Sequence, residues 1–248
     1  MASRGSGPLS ESLLLPDECV VTMEKKYYYM ESYGAFVKRS LRPREWQTNW
    51  QGKMHVPRIP VERIRNEIES LKFIRKVTNI PVPRVLAAFP DDSSYVLVME
   101  YMQGVPLKTL ESREKEIGFA EIANHLDTLR TLKSNRMGGI TGLILPPYRV
   151  LLETKNDEWQ VAHSDIEEYA FCHNDLSQSN VLVNPDTLKI TAILDWEYSG
   201  FYPPQFERRI YLRHGPSVVP KGEKNDSLEL LEYLNSHAVN TKTLMTNL

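Results

Sequence analysis

The stretch F-C-H-N-D-L-S-Q-S-N-V-L-V-N-P-D-T-L-K-I-T-A-I-L-D-W-E, Phe171 to Glu197, decides the fold. Two short apolar runs, Val181 to Val183 and Ile190 to Leu194, flank Asn184-Pro185-Asp186-Thr187. Pro and Asx residues between β-rich runs make a turn, so the spacing predicts a hairpin. Its ends carry polar groups, Asp175 and Asn180 before it and Asp195 after it. Closing the hairpin brings these three towards one volume. That volume then holds two carboxylates and an amide oxygen. Mg²⁺ takes oxygen ligands of this kind, commonly one or two carboxylates plus substrate phosphates. A carboxylate not bound to metal is free to accept a proton from a hydroxyl.

The order His173, Asp175, Leu176, Asn180 and then Asp195 matches the kinase pattern H-x-D-L-x-x-x-N followed by a metal-binding Asp. The last triplet is Asp195-Trp196-Glu197 rather than D-F-G, and Tyr198-Ser199-Gly200-Phe201-Tyr202-Pro203 follows. With Ile80-Pro81-Val82-Pro83 upstream, the chain resembles the aminoglycoside phosphotransferase and choline kinase group of small-molecule kinases, in its fungal-type branch, from about Tyr28 to Ser217. The resemblance implies an α+β, two-lobed, protein-kinase-like fold: a small antiparallel β N-lobe over residues 1–102 and a mainly helical C-lobe over 103–248. It implies an ATP- and Mg²⁺-dependent transfer of the γ-phosphate to a hydroxyl of a small molecule. Two other functions stay open on the same fold: a pseudokinase or binding module, and a non-kinase natural-product enzyme using the kinase-like pocket.

The resemblance also distributes roles. Asp175 is the catalytic base, Asn180 and Asp195 are the metal ligands, and His173 braces the loop. A strand over Ala35 to Arg39 carries the phosphate-binding lysine, and Lys38 is the match. From the residues alone Lys38 is one of several basic side chains there, with Lys25, Lys26 and Arg39. The partner glutamate belongs on the helix marked by Ile64, Ile68, Leu71 and Ile74, where Glu67 and Glu69 compete. Glu67 is four residues from Leu71 and shares its face, whereas Glu69 points about 160° away, so Glu67 is chosen. Glu100 and Met102 stand at the hinge, where a backbone carbonyl and N–H meet the purine. Glu197 has at most an accessory task, and Asn174 and Cys172 serve turn and packing.

One departure from kinases is plain. No G-x-G-x-x-G loop joins the first strands, and Gly34 is the only glycine from Val20 to Lys38. Ser32 and Tyr33 are the candidates for covering the phosphates. Residues 40–60, with Pro43, Pro57, Pro60, Trp46 and Trp50, read as an irregular insertion and a flap over the site. Leu126, Leu129 and Leu132 mark the core face of a helix within Leu107 to Lys133, and Ser227 to Ser236 reads as a last helix. Met137 to Tyr148, rich in Gly and Pro, is a segment that shapes the acceptor pocket.

The totals exclude several classes. A chain of 248 residues, 41% hydrophobic and 25% charged, supports a sizeable core. A net charge of −2 gives no reason to propose nucleic acid or membrane as partner. Two cysteines make no disulfide framework. Residues 1–12, rich in Ser and Gly, read as frayed, and the Leu13-Leu14-Leu15 run is too short for a signal peptide. A cytoplasmic protein, monomer or homodimer, is the expectation. The mixed charge of the C-terminal half argues against aminoglycosides as acceptors.

Overall fold

The computed structural model describes residues 18–215, 222 and 225–237. The expected frayed segment 1–12, the leucine run at 13–15 and most of the loop at 216–226 lie outside them.

Five antiparallel strands form the first sheet in the order β1-β2-β3-β5-β4: β1 Glu18–Val21, β2 Lys25–Met30, β3 Ala35–Ser40, β4 Val85–Asp91 and β5 Ser94–Glu100. Aromatic and β-branched residues suit these positions. Gly34, at φ 62°, closes the turn between β2 and β3 and donates its N–H to Glu31 O at 2.9 Å. Asp92 and Ser93 have φ of 42° and 61°, the paired positive values that a two-residue hairpin turn needs.

Helix α1, Pro60–Val77, crosses beneath this sheet. Pro60 fits the first turn because its missing N–H has no partner to lose there. Ile64, Ile68, Leu71 and Ile74 are buried, as their spacing predicts, and so are Arg63, Asn66 and Glu67. The helix is covered on a second side by the segment after Asp195. Asn66 Nδ2 donates to Glu197 O at 3.1 Å and to Ser199 O at 2.8 Å.

The second half holds α2 Ser112–Thr131, α3 Tyr148–Leu151 and α4 Ser227–His237, with two small sheets. One sheet orders β10-β9-β6, from β6 Val105–Pro106, β9 Val181–Val183 and β10 Ile190–Ile193. The other orders β11-β8-β7, from β7 Lys133–Ser134, β8 Tyr169–Cys172 and β11 Gly200–Tyr202. The predicted hairpin is therefore β9 and β10. Its Asn184 Oδ1 accepts the N–H groups of Asp186 and Thr187, both at 2.9 Å, the mechanism that makes Asx residues turn formers. The predicted leucine stripe also packs inward, with Leu126 and Leu129 buried and Leu132 partly so. The arrangement is the two-lobed α+β fold expected, and one apolar cluster with Leu97, Ile64, Leu126, Phe171, Val183 and Trp196 runs through both halves.

The insertion at 40–60 is irregular, as expected, and is tied down at both ends. Arg39 grips Glu45 through two bonds of 2.6 Å. Arg58 reaches Thr154 O at 2.6 Å and Asn156 O at 2.5 Å. Thr48 bridges Met54, and His55 meets Glu24 at the turn between β1 and β2. Charged side chains pin the segment at both ends.

Candidate active site

Strand β8 delivers His173 to the end of the sheet, where Asn174 takes φ 69° and reverses the chain. A left-handed residue in this turn favours Asn or Gly, which explains Asn174 locally. Its Nδ2 donates to Tyr198 O at 2.8 Å. The His173 ring is buried. Asp175 N–H donates to its Nδ1 at 3.2 Å, so Nε2 carries the proton and donates to Leu194 O at 2.9 Å. The imidazole is thus the brace expected, joining the loop to the residue before Asp195.

Burial pushes the His173 pKa down to about 4. That lies below the ~6.5 of an unfolded histidine. The neutral ring contributes stability fully above that pH, and the contribution is lost as pH falls towards about 4. The thermal midpoint is expected to drop between pH 7 and pH 4, with about 3 kcal/mol of the loss from this ring. In His173→Gln, which has no ring to charge, the pH dependence should be shallower; an unchanged slope would remove His173 as its source.

The hairpin closes as its turn residues require. Leu194 N–H donates to Asn180 O at 2.8 Å. Asn180 Nδ2 donates to Asp175 O at 2.8 Å and to Asp175 Oδ2 at 3.3 Å. The nitrogen makes these bonds, so the amide oxygen is the atom left for a cation. Asp195, at φ 65°, holds the ammonium of Lys38 through Oδ1. Lys38 Nζ is also 2.6 Å from Glu67 Oε2. Glu69, the rival, is exposed and pairs with Lys72 at 2.8 Å.

Both Lys38 and Glu67 are buried. Burial opposes charge on Lys38, but Asp195 and Glu67 outweigh it and hold the ammonium well above its ordinary range. Burial likewise pushes Glu67 up to about 7, against the pull of Lys38. On Asp195 burial is overcome by Lys38 and Lys25, which keep the carboxyl well below the usual range. Asp195 and Asn180 offer the oxygen set that Mg²⁺ takes, so the residues fit that ion.

The phosphotransferase enzyme family, APH, matches residues 48–219, more than half of the 248. The chain belongs to the APH phosphotransferase family. No curated protein sequence matches it. Among solved structures, aminoglycoside phosphotransferase APH(3'')-Id from Streptomyces rimosus is 17% identical at a TM-score of 0.50, with 75% of this chain and 73% of that one covered. A thermostable mutant of APH(4)-Ia, solved with ADP and hygromycin B, is 14% identical at 0.49, covering 77% and 70%. Aminoglycoside-3'-phosphotransferase of type VIII is 21% identical at 0.47, covering 75% and 73%. At 17% identity and a TM-score of 0.50, the likeness to the first of these is one of fold.

In this APH chain a cavity of about 320 Å³ opens at the end of β5. Tyr29, Phe36, Met99, Leu182 and Leu194 give it apolar walls, and Glu100 and Met102, the two hinge candidates, both line it. Few polar groups in a largely apolar slot suit a flat heterocycle. Glu100 N–H is committed to Arg84 O at 2.9 Å.

Several charged residues of the site were missed or underrated on sequence. Lys25 is not a solvated strand lysine: its Nζ lies 2.6 Å from both carboxylate oxygens of Glu197 and its side chain is 5% exposed. Glu197 is buried too, and Arg63 Nε stands 3.6 Å from it. Arg63 also donates to Tyr198 Oη and Glu24 Oε2, each at 2.8 Å. Burial lowers the Lys25 pKa and Glu197 resists that. Glu67, Asp195 and Glu197 each place a carboxylate oxygen within 4.8 Å of the others. A signal for Lys25 existed. Across the β2–β3 pair Tyr27 faces Lys38 and Lys25 faces Ser40, so Lys25 and Lys38 share a face while Lys26 points the other way. Ser32 and Tyr33 lie in the turn at the other end of β2, near Glu100, where Gly34 O accepts Tyr101 N–H at 2.9 Å. They are at the hinge end, away from Lys25 and Glu197.

Glu207 was likewise unassigned. It accepts the backbone N–H groups of His173 and Asn174, the latter at 3.1 Å. Glu207→Ala takes the acceptor from both. Turnover is expected to fall about tenfold while nucleotide affinity stays within about threefold, because the carboxylate positions the loop and does not reach the hinge cavity. Steady-state kinetics with calorimetric titration separates the two quantities; equal losses in both would count against this role.

Proposed function

We propose that the chain is an ATP-dependent small-molecule kinase that transfers the γ-phosphate to a hydroxyl group. The observation that carries the proposal is the Asp175–Asn180 loop, tied to the residue before Asp195, together with the Lys38 ammonium held between Asp195 and Glu67. Phosphoryl transfer demands little besides positioning and charge neutralisation, and these residues supply both. The purine occupies the cavity at Glu100 and Met102. Lys38 holds the phosphates, and Glu67 fixes the lysine. Asp175 orients the acceptor hydroxyl and takes its proton. The acceptor oxygen forms the new bond to phosphorus, the bond to the β–γ bridging oxygen breaks, and ADP leaves. Mg²⁺, when bound, neutralises phosphate charge, and Asn180 and Asp195 are the residues that would hold it.

Residues 1–102 on this reading bind the nucleotide, and residues 103–248 carry the catalytic loop, the metal ligands and the acceptor pocket. Tyr148 lines one cavity with Asp175, which supports a part for the Gly/Pro segment in binding the acceptor. Among the described residues no helix is long and apolar enough to cross a membrane. The reading places the enzyme in the cytoplasm as a monomer or homodimer, with neither nucleic acid nor membrane as partner; a net charge of −2 favours neither of those two partners.

The experiment is direct. The protein is incubated with ATP, Mg²⁺ and a panel of alcohols, sugars and amino alcohols, and ADP and phosphorylated product are followed by mass spectrometry. A product heavier by one phosphate, absent with Asp175→Ala, is expected. A product without the phosphate would instead indicate the non-kinase chemistry. Thermal stabilisation by Mg²⁺-ATP without turnover would indicate a binding module.

A further inference from the structure

Kinases cover the nucleotide phosphates with a glycine-rich loop, whose backbone N–H groups can approach the anion closely. The matching turn here, between β1 and β2, is Thr22-Met23-Glu24 and holds no glycine. Its amides are turned inward. Thr22 N–H donates to Lys25 O at 2.9 Å, and Thr22 Oγ1 accepts the N–H groups of Glu24 at 3.3 Å and Lys25 at 3.0 Å. Glu24, at its tip, is held by Arg63 and His55. A turn tied in this way leaves little backbone for a phosphate.

The next residue is Lys25, whose ammonium is buried against Glu197. It lines a cavity of about 220 Å³ together with Tyr27, Arg63, Tyr148 and Asp175. Leu194 lines the hinge cavity, whereas Glu197 and Asp175 line this one, and the chain runs from one to the other through Asp195, which holds Lys38. A nucleotide with its base at the hinge and its inner phosphates on Lys38 extends past Asp195 into the cavity that holds both Lys25 and the base Asp175.

We propose that Lys25 is the ligand of the terminal phosphate, a side-chain ammonium in the place of loop amides, and that Glu197 holds it there until nucleotide arrives. The inference rests on the kinase reading above and adds a residue to it. The exchange leaves no bare buried carboxylate, because Arg63 stays beside Glu197 when Lys25 turns to the phosphate. A charge-assisted contact to a phosphate oxygen is among the stronger hydrogen bonds in proteins.

ATP and ADP affinities of the full chain, measured by calorimetry with Mg²⁺ and again in EDTA, test it. In Lys25→Met the affinity for ATP is expected to fall about tenfold or more, and that for ADP by less than about threefold, since ADP lacks the contacted phosphate. Lys25→Arg should keep most of the preference for ATP. Glu197→Gln releases the lysine, so ATP should bind more tightly in EDTA, by about threefold or more, with ADP unchanged. If Lys25→Met does not fold, the Arg and Gln variants carry the test. An ATP-to-ADP preference that none of the variants moves makes Lys25 a structural ion pair and overturns the inference alone. Wild-type protein that binds neither nucleotide overturns it together with the kinase reading.

Discussion

Asp175→Asn is expected to lower turnover by about 10²–10⁴-fold, the span that a positioned general base contributes. Nucleotide affinity should stay within a few-fold. The change is nearly isosteric, and the shorter bonds that hold the loop run through its backbone. Asn180 Nδ2 bonds Asp175 through its backbone carbonyl at 2.8 Å, and His173 Nδ1 accepts Asp175 N–H at 3.2 Å. The loop therefore keeps its course while the proton acceptor is gone. Turnover is measured against the acceptor found in the product screen, with ATP binding followed separately by titration. A variant that keeps more than about a tenth of wild-type turnover would remove Asp175 as the base.

Lys38→Met carries the second large effect, on both stability and binding. Removing the ammonium leaves Glu67 buried without its cation. A carboxyl already pushed up to about 7 then takes a proton at neutral pH. Breaking a buried ion pair by removing one partner costs about 3–5 kcal/mol, or a fall in thermal midpoint of roughly 10 °C for a chain of this size. The sign with pH is fixed. A carboxyl raised in the folded state opposes folding as pH rises, and without the pull of Lys38 it is raised further than in the wild type, so the deficit of Lys38→Met should grow as pH rises above about 7. Adding Glu67→Gln should restore much of the stability at pH 7 and none of the nucleotide binding. Recovery of both, or a deficit indifferent to pH, would show that the lysine neither meets phosphate nor neutralises Glu67.

The legible part of the site was the part written in short-range spacing. Asp175 and Asn180 are five residues apart in one loop, and Asp195 follows a hairpin whose turn announces itself through Asn184 and Pro185. Glu67 could be chosen over Glu69 because helical pitch puts only one of them on the apolar face. Lys38 needed the family likeness, because a strand lysine looks the same whether it meets water or Glu67. What stayed hidden was the outer ring of charge. Lys25, Arg63, Glu197 and Glu207 come from β2, α1 and two segments beyond the hairpin. Nothing local distinguishes them from solvated residues; they become buried partners only when the tertiary fold brings them together. The ties of the insertion at 40–60 were hidden for the same reason, since the carbonyl groups that hold Arg58 lie about a hundred positions further along the chain.

The way α1 is fastened bears on control. Asn66 hooks the carbonyl groups of Glu197 and Ser199, Arg63 clasps Tyr198, and Glu67 grips Lys38, all on the buried sides of one helix. Swinging that helix outward would strand these groups together in a dry interior, each without a replacement partner. Here the rod is bolted to the segment that follows Asp195, so on the kinase reading proposed above it is set in place before nucleotide arrives, and the pace of turnover follows the supply of nucleotide and acceptor.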